Sequence, residues 1–406
     1  MDGQIDSNSP LTGIKVLDFG HTVMGPCCGL ILADLGAEVV RVEPINGDPT
    51  RNLKGFGSGF FGFFGRNKKS ISIDLKNPEA RPAIEAGIKW ADVIIENFGP
   101  GTMQRLGLDY DTVAPLNDQL IYCALKGFLP GLYSARPALD EIVQMMGGLA
   151  YMTGPSGRPL RAGSSIVDIT GGMFGAIAIL AALRERALSG KGTLVQSALF
   201  ETTSFLVGQH MAMSRLGGTD VTPMPERAHA WGVYDLFDVF DGQTFVGITS
   251  DKQWVRFCER FGFSDFTTDE RLSTNNMRVE ARPWLIPALA ERLRKLSMSE
   301  VAAGCEAAEV PFSQVRTPED LFDDPHLNSN HSLLRTTTDR TADLPALPVR
   351  IGAHVPEIRL QPQPIGAQTR ALLSDWGINE ELSEALLSAG AVRSSDIQAV
   401  VDASAN

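Results

Sequence analysis

Asp168 heads the stretch Asp168-Ile-Thr-Gly-Gly-Met-Phe-Gly-Ala-Ile-Ala, where one carboxylate is followed by Gly171, Gly172 and Gly175. Good helix formers then run from Ala178 to Arg186. Asp is a favoured helix N-cap because its oxygen accepts hydrogen bonds from first-turn N–H groups. Glycines leave backbone N–H groups bare, a setting suited to anions and to charge developing on oxygen. The combination fits an ionised carboxylate that attacks an acyl carbon, with Gly171 and Gly172 offering N–H groups to the oxyanion. A plainer alternative is that Asp168 only caps a helix and the glycines let another helix pack closely.

Such a carboxylate needs a scaffold, and the first half of the chain supplies one. Ile14-Lys-Val-Leu-Asp-Phe19 reads as a buried strand, Pro26 to Gly36 as a helix, and Glu38-Val-Val-Arg-Val-Glu43 as a second strand. This is a βαβ unit. It lacks G-x-G-x-x-G, so a nicotinamide cofactor is not indicated. Further strands are expected over 70–74, 91–96 and 120–125, with a helix over 78–90. Strands alternating with helices indicate a parallel sheet covered on both faces. Loops follow three of the strands: His21 to Pro26, Asn97 to Gly101 and Lys126 to Phe128. Ligands of open α/β sheets bind outside the carboxyl ends of the strands, so these loops are expected to converge on one crevice.

Farther on, 167–189 and 197–216 read as two long helices separated by Gly190-Lys-Gly192. Val221-Thr-Pro-Met-Pro-Glu226 marks a boundary. Asp241-Gly242 between two alternating runs signals a hairpin. Residues 226–325 are therefore expected to form a smaller α+β domain beside a large domain of residues 1–225. The 344–364 stretch reads as extended, and 368–377 and 380–390 as helices.

At 406 residues, two domains are the natural expectation. The net charge of −12 argues against a nucleic-acid partner. No unbroken run of 18 apolar residues occurs, so no transmembrane helix and no membrane partner are expected. The acidic N-terminus resembles neither a signal nor a transit peptide. Five scattered cysteines without C-x-x-C fit reduced thiols in a cytoplasmic setting. Cys27-Cys28 reads as small residues at a tight strand-to-helix junction. The six histidines show no metal-ligand spacing, so no metal is expected.

Several ordered blocks carry a resemblance. They are Leu11-x-Gly-Ile-Lys-Val-Leu-Asp-Phe19, Gly25-Pro26, Leu32-Ala-Asp-Leu-Gly-Ala-Glu-Val-Val-Arg-Val-Glu43, Gly47-Asp48-x-x-Arg51 and Asn67-x-Lys-Ser-Ile-Ser-Ile-Asp-Leu-Lys76. Ala91-Asp-Val-Ile-Ile-Glu-Asn-Phe-x-Pro-Gly101, the Asp168 segment, Ser189-Gly-Lys-Gly192 and Ile365-Gly-x-x-Thr369 continue the series. Together they resemble the class III CoA-transferases, typified by formyl-CoA transferase and carnitine CoA-transferase, from about Pro10 to the end. The resemblance implies a large Rossmann-like domain, completed by residues 326–406, a small domain, and an intertwined homodimer. It makes Asp168 the nucleophile, acylated by a donor thioester and then carrying CoA as an aspartyl thioester. Coenzyme A thioester is then a substrate, and no permanently bound cofactor is implied.

By the same resemblance His21 and Thr22 lie beside the CoA, and Ile73 and Lys76 near its nucleotide. Asn97, Phe98 and Arg105 fall among the family's CoA contacts, and Lys126 reaches toward the phosphates or pantetheine. For Lys76 and Arg105, exposed surface charge is the plainer alternative. Departures from the formyl-CoA enzymes are Val23 in place of Gln, Pro44 in place of Arg, Leu129-Pro130 in place of an acidic residue, and no glycine-rich loop between His229 and Tyr234. They argue against oxalate as acceptor. Arg161, Arg227 and His229 are read as holders of the second carboxylate of a C4–C6 dicarboxylate. For Arg227 and His229 a domain interface is the other reading. The rival chemistry is that of the α-methylacyl-CoA racemases, which needs an acid/base pair. Asp140 matches their Gly-His-Asp element, but Leu139 replaces the His. A non-enzymatic acyl-CoA binder is the third reading.

Overall fold

The structure is a computed structural model that describes residues 9–395. These divide into two units, one built from residues up to Pro225 and from His326 onward, the other from Glu226–Pro325.

In the first unit, β1 (Lys15–Asp18), β2 (Glu38–Glu43), β3 (Lys68–Ile73), β4 (Val93–Glu96), β5 (Ile121–Lys126) and β6 (Thr193–Ala198) pair in parallel in the order β3-β2-β1-β4-β5-β6. Val16, Val39 and Val93 lie in register on one face, and Leu17, Val40 and Ile94 on the other. Both sets are buried, in separate hydrophobic clusters. That is why these strands read as near-continuous apolar runs. Each such side chain stabilises the fold by roughly 1.5–3 kcal/mol. The order reverses at β1, so the switch point lies between β1 and β4.

Strand β6 was not among the expected strands. Thr193 to Ala198 lies between a glycine turn and a helix, and residues 197–216 read as one helix. In the structure the helices are Leu199–Leu206 and Gly208–Arg215, broken at Val207. Pairing with β5 turns 193–198 into strand, a case of tertiary context overriding local pattern.

The Ile166–Ser189 helix is long and apolar enough to cross a membrane by length and composition. The expectation drawn from the absence of an unbroken apolar run is corrected in that respect. Its buried residues, among them Gly172, Gly175, Ala176 and Ile179, face the core. The glycines make close contact possible. A Cβ on Gly172 would lie 2.7 Å from the Met24 carbonyl oxygen, and one on Gly175 would lie 2.6 Å from Leu125 Cδ2. The Met24–Asp34 helix therefore sits almost backbone to backbone against the Asp168 helix. Cys27 and Cys28 are buried within that first helix.

The end of β1 is held by a buried ionic network. Asp18 Oδ2 accepts from Lys68 Nζ at 2.7 Å, and Oδ1 accepts from the Gly20 N–H at 2.8 Å. Lys68 also donates to the Pro26 carbonyl at 2.8 Å. Arg41 lies 3.6 Å from Asp18 and pairs with Asp48. Such pairs stabilise little net, but they leave few other arrangements open to the loop after β1.

From His326 onward, β10 (Leu333–Thr337) and β11 (Thr341–Pro345) form a hairpin. The chain then crosses to the sheet edge, where β12 (Val392–Arg393) pairs antiparallel with β3. The second unit has an antiparallel sheet of β7 (Val233–Val239), β8 (Gly242–Ile248) and β9 (Phe312–Gln314), with the turn at Phe240-Asp241. Helices Asp251–Phe261, Asn275–Leu293 and Met298–Ala308 cover it around Trp254, Phe257, Leu285 and Leu289. The fold class is thus the expected one: a large parallel α/β sheet and a smaller α+β unit.

Candidate active site

A cleft of about 690 Å³ opens over the carboxyl ends of β1, β4 and β5. His21, Thr22, Asn97, Phe98, Lys126 and Asp168 all line it, so the three loops and the candidate nucleophile do converge.

The loop after β1 is clamped by Asn97. Its Oδ1 accepts from the His21 N–H at 2.7 Å, and its Nδ2 donates to the His21 carbonyl at 2.9 Å. A Cβ on Gly25 would lie 2.8 Å from that same Oδ1, so the position requires glycine. Thr22 has φ of 64°, a left-handed conformation that a β-branched residue rarely adopts. Strain of this kind concentrates at functional sites. His21 Nδ1 lies 3.0 Å from Thr22 Oγ1, and its ring packs against Phe98 with centroids 5.3 Å apart. Burial, then the nearby Arg41, lowers the His21 pKa and favours the neutral ring.

Lys126 is held from below. Its Nζ donates to Glu96 Oε2 at 2.7 Å and to the Phe98 carbonyl at 3.0 Å. Glu96 also accepts from the Phe98 N–H at 3.0 Å. Burial raises the Glu96 pKa, and Lys126 opposes that rise. Arg136 also lines the cleft, with its guanidinium over the rings of Tyr133 and Phe128 at 4.9 and 5.9 Å. It makes no ion pair among the described residues. The sequence offered no signal for it beyond a lone basic residue near aromatics.

Asp168 is the third residue of its helix, not the N-cap; Ser165 holds that position without a side-chain cap bond. The capping carboxylate comes from Asp140, whose Oδ2 accepts from the N–H groups of Val167 at 2.9 Å and Asp168 at 3.1 Å. The Asp168 carboxylate is consequently free of capping duty. It makes no hydrogen bond among the described residues. Burial first, then the Asp140 charge, raises its pKa to about 7, against a lowering by Arg161. A carboxylate that is partly desolvated and has no hydrogen-bond donor is a stronger nucleophile than one fully solvated by water.

Gly171 and Gly172 do not act as expected. Both lie inside the helix, where N–H groups are engaged by the carbonyls one turn back. Their role is the close helix contact described above, so the oxyanion assignment is withdrawn. Arg161 is also corrected. Its Nε donates to the Ala162 carbonyl and its Nη2 to the Ser164 carbonyl, each at 2.9 Å, while Nη1 pairs with Glu141. A guanidinium so engaged holds the loop before Asp168 and is not open to a substrate carboxylate.

Ile73 and Lys76 do not line the cleft. Ile73 is buried in the core beside Val392, and Lys76 is exposed in the turn after β3. That strand stands two places from β1, about 10 Å across the sheet. Arg105 does not line the cleft either. It lies on the short Thr102–Leu106 helix at the rim, with Nη2 donating to Thr102 Oγ1 at 2.9 Å. Arg227 and His229 belong to the second unit, where His229 and Arg282 share a concavity. Burial, then Arg282 and Arg227, lowers the His229 pKa.

The doubly wound sheet, with a cleft over its switch point and the Asp168 carboxylate on the cleft wall, has the ligand site where open α/β sheets carry it. The fold matches the crystal structure of a CAIB/BAIF family protein from Brucella suis with a TM-score of 0.83 and 30% identity, over 91% of this chain and 100% of that one. The chain belongs to CoA-transferase family III, whose model matches residues 11–369. A succinate–glutarate CoA-transferase of Agrobacterium fabrum is 31% identical, over 79% of this chain and 83% of the relative. A succinyl-CoA:mesaconate CoA-transferase of Haloarcula hispanica is 30% identical, over 94% and 98%. The enzyme is therefore a CoA-transferase acting on CoA thioesters.

Proposed function

We propose that this enzyme moves CoA from an acyl-CoA donor to a C4–C6 dicarboxylate through an aspartyl-CoA thioester on Asp168. The observation that carries the reading is the half-buried Asp168 carboxylate, without a hydrogen-bond partner among the described residues, on the wall of the cleft. The names of the two relatives support a dicarboxylate acceptor.

In the first step an Asp168 oxygen bonds to the thioester carbonyl carbon and the C–S bond breaks. The products are a mixed anhydride and CoA thiolate. The thiolate then attacks the aspartyl carbonyl and expels the donor as its free carboxylate. An acceptor carboxylate attacks the aspartyl thioester, releasing CoA thiolate and forming a second anhydride. The thiolate takes the acceptor acyl carbon, and Asp168 returns as carboxylate. Each step exchanges one activated acyl bond for another, so no ATP is consumed. Asn97 and Thr22 shape the wall beside the thioester, and Lys126 and Arg136 supply positive charge for CoA phosphates or the acceptor's second carboxylate. Lys76, exposed in the turn after β3, would meet only the extended nucleotide end of CoA, and buried Ile73 would not touch it. Exposed apolar side chains Met173, Ile177, Leu188 and Phe205 support a homodimer.

The test is an intact-mass measurement after incubation with succinyl-CoA and other acyl-CoA thioesters, without acceptor. A covalent CoA adduct absent in Asp168→Ala is expected, and a native spectrum of the same sample should show the doubled chain mass. Turnover onto succinate, glutarate, mesaconate and oxalate then ranks acceptors. Failure of every thioester to form an adduct, with α-proton exchange in deuterated water instead, would establish the racemase chemistry.

A further inference from the structure

Asp140 was singled out in the sequence only as a remnant of an acid/base element, yet both of its oxygens are engaged by donors of the protein itself. It is 7% exposed. Oδ2 is occupied by the N–H groups of Val167 and Asp168, and Oδ1 accepts from Gln144 Nε2 at 2.5 Å. Arg161 Nη2 stands 3.7 Å from Oδ1. Gln144, one turn along the same Asp140–Met146 helix, accepts from the Ala162 N–H at 2.9 Å. Glu141 pairs with Arg161. Three side chains from the first two turns of one helix thus pin both the 161–164 loop and the first turn of the Asp168 helix.

We propose that Asp140 is the positioning residue for Asp168, fixing the turn that carries it and holding a like charge against it so that acylation relieves a repulsion. This rests on the reading of Asp168 as nucleophile. When Asp168 attacks the thioester carbonyl, its negative charge passes to the departing CoA sulfur and the acylated Asp168 is neutral. A charge fixed beside it destabilises the free carboxylate more than the anhydride or thioester, and so favours the covalent state. The groups facing Asp168 are Asp140 from its helix, Arg161 from the preceding loop and Cys27 from the Met24–Asp34 helix. Burial pushes the Cys27 thiol up to about 12, so it adds no charge near neutrality. Arg161 opposes Asp140, which sets two variants against each other.

The experiment is the pH dependence of adduct formation in a single turnover with succinyl-CoA, from pH 5 to 9. Asp140→Asn retains an oxygen for the helix N–H groups and removes the charge. Its acid limb should move to lower pH by about one unit while the plateau rate falls. Arg161→Gln should move the limb the other way. A capping role alone would lower melting temperature and rate without moving either limb. Limbs unmoved in Asp140→Asn, or moved in the same direction by both variants, would overturn the proposal. If Asp140→Asn does not fold, the Arg161→Gln shift decides it alone: a limb that stays in place refutes it. A wild-type enzyme that forms no adduct refutes the nucleophile reading itself and removes the basis of this one.

Discussion

Replacing Asp168 by Asn should stabilise the fold at neutral pH while it abolishes the covalent adduct. The carboxyl titrates near 7 in the folded protein instead of its ordinary 3.8. The protonated form is therefore the one the fold prefers. Below pH 4 the group is neutral in both folded and unfolded chains and costs nothing. As pH rises from about 4 to 7 the unfolded chain ionises freely while the folded chain resists, and stability falls. At roughly 1.4 kcal/mol per pH unit, the full penalty is about 4 kcal/mol above pH 7. Water in the open cleft reduces it, so a gain of about 2–4 kcal/mol is expected for Asp168→Asn. The assay is a series of urea unfolding curves for both proteins between pH 4 and 8.5. The difference should be small at pH 4, grow to about pH 7 and then level off. A difference that does not vary with pH, or a wild type more stable than the variant at pH 8, would show that Asp168 is not held against its charge.

Gly172→Ala places a methyl group 2.7 Å from the Met24 carbonyl oxygen, which cannot move without shifting the loop that carries Thr22. A loss of about 1–3 kcal/mol is expected, together with a kcat/KM decrease larger than that of a surface Gly→Ala control. Asp18→Ala leaves Lys68 and Arg41 facing one another in the core without their shared carboxylate. Thermal and denaturant unfolding should show a loss of about 3–5 kcal/mol; a loss under 1 kcal/mol would mean that Asp48 alone neutralises the pair.

The residues that became core and the residue that became nucleophile differ in how local their determinants are. Val16, Leu17, Val39 and Val40 are apolar in an unbroken run because both faces of a parallel strand are buried. That demand is met within a few residues, so β1 to β5, the hairpin around Asp241 and the Asp168 helix were legible from pattern. Convergence of the His21, Asn97 and Lys126 loops was legible too, since strand order in a doubly wound sheet leaves loops after β1, β4 and β5 little choice. What pattern could not reach was any decision made by a partner distant in sequence. Thr193 to Ala198 became strand because β5 offered an edge. Gly171 and Gly172 became packing surface because the Met24–Asp34 helix lies against them.

Asp168 illustrates both sides. Its residue type and the glycines after it announce a carboxylate at a helix start, and the reading of it as the cap followed from that. In the folded chain Asp140, 28 residues earlier, takes the capping bonds, and Arg161 is spent on Glu141 and loop carbonyls. Local sequence determined that a carboxylate would stand at this turn. Only tertiary structure decided that it would stand there unpaired, because hydrogen-bond donors go to whichever acceptor the packing brings into reach, and the chain brought Asp140.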